Sequence, residues 1–169
     1  YVIIYFACMQ LGAIAVPINQ RLHAEEIDGL LSEIPITLFF VADDLKHLLA
    51  DSNHLIKHVT LLKHKDSDFL NSIATLEPYN DESFKQIADN DVLAIFFTSG
   101  TTNKPKGVTI LYKGLIANGI AFVQTLQLSS ELKFYNILDL AYLGGFYNLT
   151  MIPFISQACV VLSDTFNPH

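Results

Sequence analysis

The chain is expected to be an α/β protein, with mostly parallel sheets and helices packed on them, and three observations carry that expectation. Short β-rich apolar runs recur along its whole length. Helical patterns fall between the early runs at spacings proper to βαβ crossovers, which lay strands side by side in parallel. The 169 residues are 51% hydrophobic, enough for one core and room for two subdomains.

The elements follow in order. Residues 1–13 are apolar on almost every side, which predicts a helix buried between sheets or domains. Gln10 and Pro17 break the run below bilayer length, so a membrane span is not expected, and no basic region precedes it as in a signal peptide. Residues 13–18 predict a short strand ending at Pro17. His23-Ala24-Glu25-Glu26 then opens a helix whose first-turn acids suit the dipole, with Ile27, Leu30, Leu31 and Ile34 on its apolar face. Strands are expected at 36–41 and 59–62, with Asp43 and Asp44 capping a helix over 45–51 between them.

From residue 64 to 90 the composition turns acidic and polar, predicting an exposed excursion in which Phe69, Ile73 and Leu76 share one helical face. His54, His58 and His64 invite a zinc reading, but no cysteine or fourth ligand lies within reach, so solvated histidines are expected. Further elements are a strand over 92–97, a strand over 108–111, and a helix over 112–127 with Leu115, Ile116, Ile120, Val123 and Leu126 at helical spacing. A strand over 134–140, a helix over 146–152 ended or kinked by Pro153, and a strand over 159–162 complete the list. Three parts result: 1–63 as a βαβ-type subdomain, 64–90 as the excursion, and 91–169 as a second subdomain, all within one incomplete domain.

The net charge of −7 and scattered lysines exclude a nucleic-acid face and a polybasic membrane patch. Cys8 and Cys159 lie in apolar runs and read as buried thiols of a reducing, cytoplasmic compartment, with a disulfide between them the alternative that nothing calls for. Tyr1 opens the chain in mid-segment and His169 ends it just past a strand, so the chain reads as an internal piece of a longer protein.

The chemistry is concentrated in Thr98-Ser99-Gly100-Thr101-Thr102-Asn103-Lys104-Pro105-Lys106-Gly107, between two apolar β runs. Hydroxyls and backbone N–H groups donate to anions, and glycine lets backbone approach a ligand. Lys104 and Lys106 flank Pro105, which fixes φ between them. The combination suits a nucleotide triphosphate. It is not a Walker A loop, since no Gly-Lys-Ser/Thr and crossover helix follow. A polar surface loop with incidental lysines is the plain alternative.

This stretch resembles the signature loop of the adenylate-forming enzymes, which include acyl-CoA synthetases, peptide-synthetase adenylation domains and luciferases. The usual form is Thr-Ser-Gly-Thr-Thr-Gly-x-Pro-Lys-Gly, and Asn103 stands where its second glycine is usual. Asn is among the residues most tolerant of left-handed backbone. Leu11 to Asn19 followed by Glu25-Glu26-Ile27 is similar to a second, structural block of that family. Asp139-Leu140-Ala141-Tyr142-Leu143-Gly144-Gly145-Phe146 resembles a third, usually Pro-Leu-x-His-x-Gly-Gly-Leu.

The resemblance implies a piece of the large N-terminal domain of an acyl-CoA synthetase-like fold. It implies ATP, Mg²⁺ and CoA as cofactors and a small carboxylic acid as substrate. Thr98, Ser99, Gly100, Thr101, Thr102, Asn103, Lys104, Lys106 and Gly107 would hold the ATP phosphates. Tyr142, Gly144 and Gly145 would border the acyl pocket and adenylate, although Tyr142 reads equally well as a core-edge aromatic. Tyrosine also lacks the near-neutral titration of the usual histidine. The Tyr-Gly-x-Thr-Glu and Thr-Gly-Asp stretches and a lysine-bearing C-terminal domain are missing, so no complete catalytic set is expected here and the piece alone should be inactive. A non-catalytic nucleotide-binding or interaction module of the same family stands as the alternative.

Overall fold

A computed structural model describes residues 1–49, 56–62, 71, 73–77, 86–98 and 105–163, and of residues 56–62 the backbone. The chain divides into two compact units, Gln20–Asp81 and Tyr1–Asn19 with Glu82–His169.

Helix α1 (Val2–Leu11) belongs to the second of these units, and helix α2 (Ala24–Glu33) opens the Gln20–Asp81 unit. Glu26 reaches back so that its Oε2 accepts the His23 backbone N–H at 2.8 Å, one half of a capping box. Ile27, Leu30 and Leu31 are buried, as their i, i+3, i+4 spacing requires. Strand β1 (Ile36–Ala42) pairs in parallel with β2 (Ile56–Leu62), in register Ile36↔Ile56 through Ala42↔Leu62. The expected helix over 45–51 is instead a 3₁₀ helix, Asp43–Leu49, starting directly at the strand end. Within it the His47 Nδ1 lies 2.9 Å from the Asp44 carbonyl oxygen, across one i, i+3 turn. The predicted face of Phe69, Ile73 and Leu76 falls partly outside the described residues; Ile73 and Leu76 are exposed.

The other unit is centred on β3 (Val92–Thr98), whose Leu93, Ala94 and Phe96 are buried. On one side β3 pairs antiparallel with β4 (Lys106–Leu111). On the other it meets residue 15, where Ala15 N donates to Leu93 O at 3.1 Å and Ile95 N donates to Ala15 O at 2.9 Å. The expected strand over 13–18 is only this one bridge. The next donor in a parallel ladder would be residue 17, and Pro17 has no N–H to give.

Helix α1 ends at Gly12, whose φ of 65° lets Gly12 and Ala13 return their N–H groups to Met9 and Cys8. It buries only Tyr5 fully; Ile3, Phe6 and Leu11 are exposed, so the expectation of burial on all sides is corrected. An all-apolar run does not say which face meets the core, and here that face lies on Phe146.

Helix α3 (Tyr112–Thr125) follows β4 without a loop. Its first N–H groups are satisfied by the preceding turn, Tyr112 N to Asp91 O at 3.2 Å and Lys113 N to Asp89 O at 3.0 Å. The predicted apolar face is corrected: Leu115 is buried and Val123 half-buried, but Ile116, Ile120 and Leu126 are exposed. The helix turns inward through Gly119, where an added Cβ would collide with the Ile155 side chain. A glycine contact leaves no mark in apolar periodicity.

Strand β5 (Lys133–Asn136) pairs in parallel with β6 (Cys159–Leu162). It stops short of residue 140 because the Asn136 Oδ1 takes the Leu138 N–H at 2.9 Å, turning the chain away from the sheet. The segment after it is a π-helix, Gly144–Met151, followed by the short α4 (Ile152–Ile155) with Pro153 inside it. Pro153 stands in the first turn of that helix, where its missing N–H costs least. Cys159 is exposed and Cys8 half-buried, both free, so the reading of two buried thiols is corrected. A short strand paired on one side buries little of an apolar run.

Parallel pairing thus predominates, with β3–β4 the antiparallel exception. The core of this unit is aromatic. Phe146 is fully buried, with ring centroids 4.1 Å from Tyr5, 5.5 Å from Tyr1 and 6.2 Å from Phe96. Burying such a ring contributes about 1.5–3 kcal/mol. No described helix is long and apolar enough to cross a membrane.

Candidate functional site

The loop that the sequence singles out springs from the β3–β4 hairpin. Thr98 and Lys106 are paired across it, so residues 99–105 link two opposed positions where two residues would suffice for a hairpin. Both Thr98 and Lys106 are exposed. The Thr98 hydroxyl donates to the Lys106 carbonyl at 3.4 Å, a long bond that holds it weakly and leaves it able to turn to another acceptor. Ser99, Gly100, Thr101, Thr102, Asn103 and Lys104 lie outside the described residues. Gly107 sits opposite Phe97, and a Cβ there would come within 3.0 Å of Ile95 Cγ2 and 3.6 Å of the Phe97 ring.

The second stretch begins where β5 ends. Asn136 is buried and fully engaged: its Nδ2 donates to Gly145 O at 2.8 Å and to Thr150 Oγ1 at 3.0 Å. Thr150 Oγ1 donates to the same Gly145 carbonyl at 3.0 Å. This closed, buried network clamps the start of the π-helix to the end of the strand. A Cβ on Gly145 would run into the Asp139 and Leu138 backbone, and one on Gly144 would meet Leu138 Cδ1 at 3.3 Å. Asp139 has a local task, its Oδ1 accepting the Ala141 N–H at 2.9 Å in an Asx turn.

Tyr142 is exposed at the mouth of that turn. Its phenol oxygen accepts a hydrogen bond from Asn19 Nδ2 at 2.6 Å, and its backbone is held by Asp139 O and Phe146 N. Nothing in local spacing could have paired Asn19 with Tyr142, which are 123 positions apart. Asn136 did leave a signal, an amide inside an apolar β run where asparagine is disfavoured.

Burial pushes the Tyr1 and Tyr5 phenols well above the usual tyrosine range, and burial also raises Cys8, Tyr112 and Tyr147. The two stretches meet through Phe96 and Phe146 in the core, while no hydrogen bond joins Tyr142 to Thr98 or Lys106 among the described residues. An open apolar groove of ≈ 430 Å³ runs along the outer side of α3, lined by Ile87, Asp89, Tyr112, Ile116 and Ile120, and none of the sequence-identified site residues borders it. Among the described residues no three His, Cys, Asp or Glu side chains come together to hold a metal ion.

A family model described as AMP-binding enzyme matches residues 1–169. Indoleacetate–CoA ligase of Aromatoleum aromaticum is 30% identical over 166 residues, covering 96% of this chain and 32% of that protein. The medium-chain fatty-acid–CoA ligase of Escherichia coli is 26% identical over 99% of this chain and 32% of its own length. The chain thus spans about a third of the length of the curated relatives it matches. Among solved structures, ATP-bound MatB from Rhodopseudomonas palustris superimposes with a TM-score of 0.84 at 18% identity, over 99% of this chain and 33% of MatB. At that identity the likeness speaks for the fold, that of acyl-CoA synthetase N-terminal domains.

Proposed function

Because this chain belongs to the AMP-binding enzyme family, we propose that the whole protein carrying it activates a carboxylic acid with ATP and passes the acyl group to CoA. The observation that carries the reading is the donor-rich stretch from Thr98 to Gly107, mounted on the exposed end of a buried strand. The acid's carboxylate attacks the α-phosphorus of ATP, and the bond to the bridging oxygen breaks with loss of pyrophosphate. The CoA thiolate then attacks the acyl carbon and AMP leaves with the carboxylate oxygen.

Charge builds on the pyrophosphate as it departs. Hydroxyls of Thr98, Ser99, Thr101 and Thr102, loop amides and the Lys104 and Lys106 ammonium groups are the donors suited to hold it, with Asn103, Gly100 and Gly107 shaping the loop. Losing one preorganised donor of this kind costs roughly 10²–10³ in rate. Mg²⁺ bound to the triphosphate supplies further neutralisation when present, and no ligand to it is assigned among the described residues. Tyr142 and the backbone around Gly144 and Gly145 would border the acyl group. A cytoplasmic setting, where ATP and CoA are supplied, belongs to the same reading.

We assign the activity to the whole protein, and expect these 169 residues to be inactive alone. The test is pyrophosphate exchange into ATP by the full-length protein with a panel of carboxylic acids. Exchange is expected, falling about 10²–10³-fold in Lys106→Ala and Thr101→Ala. ATP binding without exchange for any acid would point to a non-catalytic nucleotide-binding module. Exchange untouched by either substitution would remove the loop from the mechanism.

A further inference from the structure

Asn19 and Tyr142 make a contact that neither the loop nor the core explains. Asn19 follows an anchored stretch: Ala15 is tied to β3 by two hydrogen bonds, and Pro17, two residues before Asn19, is buried with φ locked by its ring. Tyr142 stands on fixed backbone. Its N–H donates to Asp139 O at 3.2 Å, and its carbonyl accepts Phe146 N at 2.9 Å. The phenol projects from there, 48% exposed, and the Asn19 amide is the group that meets it, at 2.6 Å.

An exposed tyrosine otherwise exchanges among staggered rotamers, and one hydrogen bond to an anchored partner is enough to favour a single one. The direction of the bond adds a second effect. Because the amide N–H donates, it occupies a lone pair of the phenol oxygen and leaves the phenolic hydrogen for another acceptor.

We propose that Asn19 is a positioning residue for substrate recognition. It holds the Tyr142 ring in one rotamer and commits the phenol O–H as a donor toward the bound carboxylic acid. The inference rests on the reading of Tyr142 as a residue that borders the acyl group. It assigns Asn19 a part in acid recognition and none in ATP binding or in the chemical step.

The experiment is pyrophosphate exchange by the full-length protein, with octanoate and indoleacetate as probe acids and the rest of the acid panel behind them. Tyr142→Phe is expected to raise KM for the acid by about 10- to 100-fold, the worth of a hydrogen bond to a carboxylate, and Asn19→Ala by about 3- to 10-fold, the worth of the neutral bond that orients the ring. The KM for ATP and kcat should stay unchanged. In the Tyr142→Phe background, Asn19→Ala should have no further effect, since its partner atom is gone. Additive effects, an equal rise in KM for ATP, or an unmoved acid KM would each overturn the proposal. If thermal melting shows that Asn19→Ala fails to fold, Tyr142→Phe decides alone: it keeps the ring and removes only the bonded oxygen, and an unchanged acid KM overturns the proposal. Exchange absent from the unsubstituted protein with every acid ends the ligase reading and this inference with it. Exchange present but without coupling between the two positions ends the inference only.

Discussion

Gly107 and Gly145 each close a glycine-bearing stretch of the candidate site, and they are glycines for different reasons. At Gly107 the space a methyl group would take is bounded by the Ile95 and Phe97 side chains, which can shift by a few tenths of an ångström. At Gly145 it is filled by the Leu138 and Asp139 backbone, held in turn by Asn136 and the Asp139 Asx turn. The hairpin edge is therefore tolerant in its packing and demanding in its chemistry. The π-helix start is the reverse, a rigid joint whose exact shape the exposed Tyr142 inherits.

The sharpest way to break this contrast is Gly145→Ala, expected to destabilise the protein by about 3 kcal/mol through forced overpacking against backbone. Equilibrium unfolding in urea measures it, and a loss below that of Gly107→Ala would invert the comparison. Asn136→Ala should cost about 2 kcal/mol in the same assay, because it takes one of two donors from the buried Gly145 carbonyl and leaves the Leu138 N–H without its acceptor.

Alkaline pH probes the same joint from beneath. Burial raises the Tyr5 phenol against Phe146 above its unfolded value near ~10, so its contribution to stability is complete below that pH. Above it the unfolded chain releases a proton that the native state keeps, and stability falls by about 1.4 kcal/mol per pH unit for that group. Unfolding midpoints measured across pH 10–11 (roughly one unit above the reference value) should show a slope that Tyr5→Phe reduces.

At the hairpin the effects on stability shrink. Gly107→Ala should cost under about 1 kcal/mol, since its nearest neighbours are side-chain atoms. Lys106→Ala should leave the unfolding midpoint within about 0.5 kcal/mol of the original while depressing exchange strongly. A large stability loss there would mean that Lys106 serves the fold.

Much of the α/β architecture was legible because it depends on local signals. The acid-led helix before Leu30, the parallel alternation around Ile36 and the hairpin strands flanking the loop all follow from periodicity and turn chemistry. The misreadings share a cause. Ile116, Ile120 and Leu126 formed a convincing apolar stripe, yet α3 turns inward on Leu115 and the bare backbone of Gly119. The strand expected to reach residue 140 ends at an asparagine whose partners, Gly145 and Thr150, lie on the next helix. Pairing across such distances has no signature in a window of neighbouring residues.

The order of amino acids alone determined which atoms are available: a dense run of hydroxyls, amides and ammonium groups after a buried strand, and a glycine pair beside an aromatic. Those are properties of composition and short spacing, and they survive any arrangement of the rest. Only the folded chain decided that Asn19 meets Tyr142, that Asn136 clamps Gly145, and that Phe146 lies between Tyr5 and Phe96. The first and the last join segments far apart in sequence and the second joins a strand end to the next helix, and such contacts are selected by how whole elements pack, because close-packed interiors admit few arrangements of the same side chains.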